Sequence, residues 1–402
     1  MPPRAKSNAG QYDGAVFSER TRWDLRPNRL AARLAEKRAT GTRLLDLTES
    51  NPTRARLPVP EDLLTALAQP AARRYDPSPF GLEPARAAAA ADLARRGFPV
   101  GAERVFLTAS TSEAYAFLFK LLADPGDEIL VPRPGYPLFE FLARLESVAV
   151  RGYSLSYDGE WRVDPAAVRA SLSPRTRAVV VVNPGNPTGA FLKLDERHAL
   201  EQLCAERSLA LVSDEVFADF AFAPDERRAG SVARDGPALA FSLGGLSKSC
   251  ALPQLKLAWT AVTGPEGPVR EALSRLEVIA DSYLSVSTPV QAAAPALLAR
   301  REELQRPIVA RVRSNLDCLR AQLRGSPASL LEPEGGWYAV LRVPATLSEE
   351  ERVLRLLEAR DVLVHPGYFF DFPSEAFLVL SLLTPEDDFA EGTARVLADL
   401  VL

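Results

Sequence analysis

Residues 178–189 read Ala-Val-Val-Val-Val-Asn-Pro-Gly-Asn-Pro-Thr-Gly. A continuous β-branched run predicts a strand buried on both faces, as in parallel sheets, and the Asn/Pro/Gly cluster after it ends the strand abruptly. Outward from it the pattern repeats. Further strands are predicted at 104–108, 128–131, 209–213, 238–243 and 259–262, with helical stretches such as 113–123 and 194–206 between several of them. Strand–helix alternation implies an α/β fold with a largely parallel sheet. From about residue 270 a long helical region runs through Arg324. The strand-like WYAVLRV, the helix SEEERVLRLLEAR, the strand FLVLSLL and a last helix then predict a smaller α+β domain. The chain divides into an arm and helix (1–45, on the small-domain side), a large domain (46–285) and a C-terminal small domain (286–402).

The 402 residues, 47% hydrophobic and 25% charged, suit a globular protein with a large core. A net charge of -4 with interspersed signs gives no nucleic-acid surface and no membrane patch. The opening residues carry no secretory signal and no apolar run approaches the ~20 residues of a membrane helix, so a cytoplasmic location is expected. Cys204, Cys250 and Cys318 lack metal spacing, and His198 and His365 lie far apart, so no metal site is expected. Lysine is scarce: Lys6, Lys37, Lys120, Lys193, Lys248 and Lys256 against abundant arginine. A lysine can become an amine nucleophile; an arginine stays protonated.

Open parallel sheets bind ligands beyond the carboxyl ends of their strands, and the unusual residues cluster there. After successive predicted strands come Ala109-Ser110-Thr111-Ser112, then PRPGYP with Tyr136, then NPGNPTG with Asn186, then Asp214-Glu215, then GGLSK ending at Lys248. The set fits an aromatic aldehyde with a phosphate and a basic ring nitrogen. The helix start at Ser110–Ser112 offers N–H groups and hydroxyls to a phosphate. Tyr136 can stack, Asn186 can donate to a ring hydroxyl, Asp214 can pair with a protonated ring nitrogen, Lys248 can form an imine, and Lys256 can add positive charge.

With these residues in place, the chain resembles the fold-type I pyridoxal-phosphate (PLP) enzymes of the aminotransferase class I/II family. The matching motifs are RYDPSPFGL, TASTSEA, PGDEILVPRPGYP, NPGNPTG, VSDEVF, LSKSCALPQLKLAW and PEGGWY, in the family's order and spacing. The resemblance implies a mostly parallel seven-stranded sheet sandwiched by helices, with a smaller α+β domain. It implies PLP as a Schiff base on Lys248, Asp214 on the ring nitrogen, Asn186 on the ring oxygen and Tyr136 stacked on the ring. Ser110, Thr111, Ser112, Ser247 and Lys256 would surround the phosphate. Tyr75 would reach the phosphate of the neighbouring subunit, which implies a homodimer, and Ser50 and Asn51 would line the substrate pocket. The implied activity is amino transfer from an amino acid or related amine to a 2-oxo acid. The alternatives are another PLP reaction at Cα, such as a lyase or decarboxylase, and a non-enzymatic regulator. The regulators that resemble this family carry an N-terminal DNA-binding domain, and the roughly 45 residues before the first motif here do not read as one.

The chain departs from the family pattern in four places. Phe217 replaces a tyrosine. Lys256 stands where an arginine is usual. Gly245 stands for a phosphate-binding serine, with Gln254 and Ala258 replacing nearby glycines. Val379 stands where the family's carboxylate-clamping arginine would fall. Either another arginine, such as Arg54, takes over that role, or the natural amine has no carboxylate at that position.

Overall fold

The computed structural model describes residues 16–401. A two-residue strand β1 (Leu45–Asp46) precedes eight strands that form one sheet: β2 (Val105–Thr108), β3 (Glu128–Arg133), β4 (Ala149–Tyr157), β5 (Trp161–Val163), β6 (Thr176–Val182), β7 (Ala210–Asp214), β8 (Ala240–Gly245) and β9 (Ala258–Thr263). Their spatial order is β2-β9-β8-β7-β6-β3-β4-β5. The pairings β8–β7, β7–β6, β6–β3 and β3–β4 are parallel; β9 pairs antiparallel with both β2 and β8. The resemblance implied seven strands; the eighth, β5, is a three-residue antiparallel strand on the outer edge of β4.

The apolar run of β6 is continuous because both of its faces are covered. Ala178 and Val180 share a core with Ala114, Phe117 and Leu118 of the helix Thr111–Leu122 and with Leu276 of the helix Glu266–Asp281. Val179 and Val181 share another with Leu200 and Leu203 of the helix Leu194–Arg207. Successive side chains of a strand alternate faces, so two helical layers need two apolar sets. A third core packs β2 and β9 against the helices Glu83–Arg95 and Thr288–Ala299.

The second part of the fold is a four-stranded antiparallel sheet in the order β10-β11-β14-β13, formed by β10 (Ser329–Leu331), β11 (Tyr338–Arg342), β13 (His365–Pro366) and β14 (Phe377–Ser381). The remaining strand, β12 (Val362–Leu363), pairs in parallel with β1, so both ends of the chain build one core around Leu45, Leu47, Leu356, Leu380 and Val396. The stretch read as one helical region after residue 270 is three helices, Glu266–Asp281, Thr288–Ala299 and Arg301–Gln322. Leu284, in the left-handed region at φ 47°, and Pro289 in the next helix's first turn make the first break.

One buried ion pair joins the two parts. Asp92, on the helix Glu83–Arg95, accepts from Arg301 at the start of the long helix Arg301–Gln322, and both side chains are almost fully enclosed. Removing Arg301 leaves the buried Asp92 carboxylate only the partly exposed Arg95, 3.3 Å away, as a charged partner. Arg301→Met is therefore expected to destabilise the protein by about 1–3 kcal/mol, read from urea unfolding, and Asp92→Leu/Arg301→Met to recover much of that loss.

Candidate active site

Strand β7 ends at Asp214, and β8 runs into a one-turn helix, Leu246–Ser249, that carries Lys248. Because β7 and β8 are parallel neighbours, the two groups emerge at the same edge of the sheet. Asp214 is buried; its Oδ2 accepts from the Tyr115 hydroxyl (3.2 Å) and its Oδ1 from the Val216 N–H (3.2 Å). Burial outweighs these donors and pushes its carboxyl up to about 6. Lys248 keeps some exposed surface, but its amine is enclosed, 4.8 Å from the ring centre of Trp337 and 5.4 Å from that of Phe217. Desolvation brings it down to about 8, against the opposing pull of Asp214. Glu215, beside Asp214, is committed elsewhere: it accepts from Ser231 Oγ (2.8 Å), the Val232 N–H (3.0 Å) and Arg96 (2.9 Å).

The loop after β6 contributes Asn186. Asn183 is used structurally, donating to Gly230 O (3.1 Å) and accepting from the Leu192 N–H (3.0 Å). Asn186 differs: its Oδ1 is buried with no hydrogen-bond partner. Glu334 fastens this loop to the segment Glu334–Trp337, accepting from Lys193 and from the Phe191 N–H (3.0 Å), while its own N–H donates to Gly189 O (3.3 Å). Gly189 sits at φ 69°, and a Cβ there would lie 2.5 Å from Gly335 O, so this junction admits only glycine.

Ser110 caps the helix Thr111–Leu122, accepting from the Glu113 N–H (3.2 Å), with Thr111 and Ser112 in the first turn. Tyr136 packs edge-on against Phe139 at 5.6 Å, and burial raises its hydroxyl's pKa. The Tyr338 hydroxyl, on β11, lies beside Ser50. Ser50, Ser110, Thr111, Ser112, Tyr136, Asn186, Ser247, Lys248 and Tyr338 are all half-buried, as expected for the walls of a crevice. Asn51 is exposed and its side chain closes a turn, accepting from Thr53 N–H (3.1 Å) and Oγ1 (2.8 Å). Lys256 is exposed in a left-handed conformation at φ 55°. Tyr75 is 78% exposed. Tyr115 and Trp337 escaped sequence reasoning. A tyrosine in an apolar helix and a tryptophan at a strand start both read as core, and the one available hint was the hydroxyl of Tyr115 among the apolar residues that follow the Ser/Thr cap.

Several of the departures from the family pattern can be placed against their neighbours. Phe217 is buried edge-on to Trp337 at 5.2 Å, in an apolar wall that Phe220 extends. Gly245 and Ala258 are direct cross-strand partners. A Cβ on Gly245 would lie 3.1 Å from the Ala258 Cβ, so the two substitutions are one exchange of volume across a strand pair. Val379 is buried with Val340, Phe370, Leu331 and Trp161, and its β13 partner is His365. Burial holds that imidazole down to about 4, so it is neutral at pH 7. Arg54 is 66% exposed and paired with Glu49 at 3.0 Å.

Comparison with known proteins is consistent with this geometry. The family Aminotransferase class I and II matches residues 42–389. The chain is 28% identical over 377 residues to an alanine aminotransferase of Mycobacterium tuberculosis, covering 91% of this chain and 87% of that one. It is 27% identical over 369 residues to a glutamate-pyruvate aminotransferase of Escherichia coli, covering 89% and 90%. Among solved structures, an alanine aminotransferase of Pyrococcus furiosus superposes with a TM-score of 0.85 at 25% identity, covering 92% of this chain and 96% of that one. A double mutant of the Thermus thermophilus aspartate aminotransferase gives 0.82 at 26%, covering 95% and 99%.

The cross-strand exchange can be tested directly. Gly245→Ser should destabilise the fold by about 1–3 kcal/mol through overpacking, and adding Ala258→Gly should restore part of the loss, since the Ala258 Cα and Leu257 O stay 3.2 Å from the new Cβ. Melting curves of the two single variants and the double variant measure the coupling.

Proposed function

The chain belongs to the class I and II aminotransferases, a family that uses PLP, and on that premise we propose that it exchanges an amino group between an amino acid or related amine and a 2-oxo acid, with PLP held at the strand ends. The observation that carries this reading is the pair Asp214 and Lys248. One is a carboxylate raised to about 6 and the other an amine lowered to about 8, on neighbouring strands, and among the described residues neither forms an ion pair. Two buried opposite charges left apart fit a group that meets both, with a basic ring nitrogen at one end and an aldehyde carbon at the other.

Lys248 Nζ would carry the covalent link and Asp214 the ring nitrogen. The side-chain amide N–H of Asn186 would donate to the ring oxygen, and Tyr136 would cover one face. Ser110, Thr111, Ser112, Ser247 and Lys256 would surround the phosphate, and the exposed Tyr75 would reach the phosphate of a second subunit in a homodimer. Bound there, PLP supplies an electron sink that makes the substrate's Cα–H bond acidic. The chain's own part is proton handling. An amine near 8 is a substantial fraction neutral at physiological pH, so Lys248 Nζ can accept a proton and return it. The rings of Phe217 and Trp337 keep water from that nitrogen.

The donor's carboxylate is the second question. On the sheet Val379 is paired with Val340 and with a neutral His365, neither of which supplies a positive charge. Arg54 is an exposed partner of Glu49. We therefore place the carboxylate's contacts away from β14, on neutral donors of the crevice such as Ser50 and Tyr338. The relatives named for alanine and glutamate make those amino acids, with pyruvate and 2-oxoglutarate, the first substrates to try.

Two tests follow. Apoprotein mixed with PLP should capture it at a rate that rises with pH and levels off above about 8, the value for Lys248, because only the unprotonated amine attacks. Borohydride should then fix the cofactor to Lys248, and Lys248→Ala should lose at least ~10²-fold in turnover. Label on another lysine, or a capture midpoint near that of an ordinary lysine, would overturn the assignment. For the carboxylate, Arg54→Gln should change kcat/KM for an amino acid by less than about threefold, against the more than tenfold expected when a charge-assisted contact is lost. A selective rise in KM for the acid, with its decarboxylated amine unaffected, would show that Arg54 is the clamp.

A further inference from the structure

Tyr115 occupies the second turn of the helix Thr111–Leu122 and is almost wholly enclosed. Its ring lies 5.8 Å from Phe119 and 5.3 Å, edge-on, from Phe139. These neighbours would accept a phenylalanine equally well, so the hydroxyl is the part of the side chain that packing does not explain. It donates to Asp214 Oδ2 at 3.2 Å, while the Val216 N–H holds Oδ1 at 3.2 Å. One donor comes from the strand-end backbone and the other from a helix on the sheet's face. A carboxylate held at both oxygens from two directions cannot rotate without breaking a bond.

We propose that Tyr115 is a positioning residue, whose hydroxyl fixes the plane of the Asp214 carboxylate and favours its ionised form, so that a free lone pair is presented to the cofactor's ring nitrogen. The proposal rests on the role given to Asp214 above. Its chemistry is one-directional. Burial and the adjacent carboxylate raise the Tyr115 phenol well above its ordinary value, so it keeps its proton and can only donate. A hydrogen bond to the charged form favours that form, and a charged Asp214 is what keeps the ring nitrogen protonated. Tyr136 is the other phenol that acts on Asp214, and Glu215 and Lys248 are the charged groups that do so; among the described residues Tyr115 is the side chain that hydrogen-bonds the carboxylate.

The test uses the whole enzyme and three readouts: the equilibrium affinity for PLP, the pH titration of the bound cofactor's visible absorbance, and the melting temperature of the apoprotein. Tyr115→Phe is expected to weaken PLP binding about tenfold to a hundredfold, as for loss of a hydrogen bond to a charged group, and to shift the absorbance titration, while the apoprotein melts within a few degrees of the parent. In an Asp214→Asn background the same substitution should change affinity and titration by less than about twofold, because the group it acts through is gone. Unchanged affinity and titration with a lowered apoprotein melting temperature would reduce Tyr115 to a packing residue and overturn the proposal. An Asp214→Asn variant that binds PLP and titrates like the parent would instead overturn the assignment of Asp214 on which the proposal stands.

Discussion

A buried carboxylate and a buried amine on neighbouring strands attract each other strongly, and a flexible lysine would normally close the gap. Here it does not. Asp214 is held by Tyr115 and by the Val216 N–H, and Lys248 lies over the rings of Trp337 and Phe217. Each group is therefore desolvated without being neutralised, and their pKa values move toward each other. Such an arrangement costs stability in the empty protein and is repaid only by a ligand that satisfies both ends. The parallel β7–β8 pair sets the two groups side by side, and the Trp337 wall keeps the amine from collapsing onto the acid.

That wall depends on the second part of the fold. Trp337 belongs to the segment leading into β11, and the segment is fixed to the large sheet through Glu334, which takes hydrogen bonds from Lys193 and the Phe191 N–H. The loop that carries Asn186 and the segment that carries Trp337 are thus one hydrogen-bonded unit, closed by the approach of Gly189 to Gly335. The ion pair between Asp92 and Arg301 performs a similar service further out. The strand ends of the large sheet and the residues of the small one keep a fixed relation through these polar contacts and through shared apolar cores, in which Phe217 and Phe220 pack with Trp337 and Leu380, and Trp161 with Val340 and Val379.

Much of this was legible in the sequence. The strand ends could be read because each buried strand is a short apolar run and the chemistry follows it directly. Position alone singles out Asp214, Asn186 and Lys248, and the structure brings Asp214 and Lys248 to one edge of the sheet. Three things were hidden. Tyr115 looks like one more apolar-face aromatic, since nothing local reveals which strand end its hydroxyl meets. The link between Gly245 and Ala258 depends on strand register, which pairs residues thirteen positions apart. The setting of Asn51 was ambiguous for a different reason. An asparagine before Pro52 serves a turn or a pocket equally well, and here it closes a turn.

The neutrality around Val379 bears on how the site discriminates among substrates. An arginine there would fix a carboxylate by charge at one point of the small sheet. In its place stand Val340, Val379 and an imidazole that burial keeps uncharged, backed by Phe370 and Trp161. The apolar side chains here are buried and offer a substrate carboxylate no charge, so losing water beside them would be unfavourable without compensating donors. Two of the donors available, the hydroxyls of Ser50 and Tyr338, already lie against each other. Binding a carboxylate there would exchange that contact rather than fill an empty position, so the net gain would be smaller than a guanidinium would give. Under the proposed function, an apolar substituent of the donor would need no such exchange, and selectivity would rest more on its shape and apolar area than on its charge.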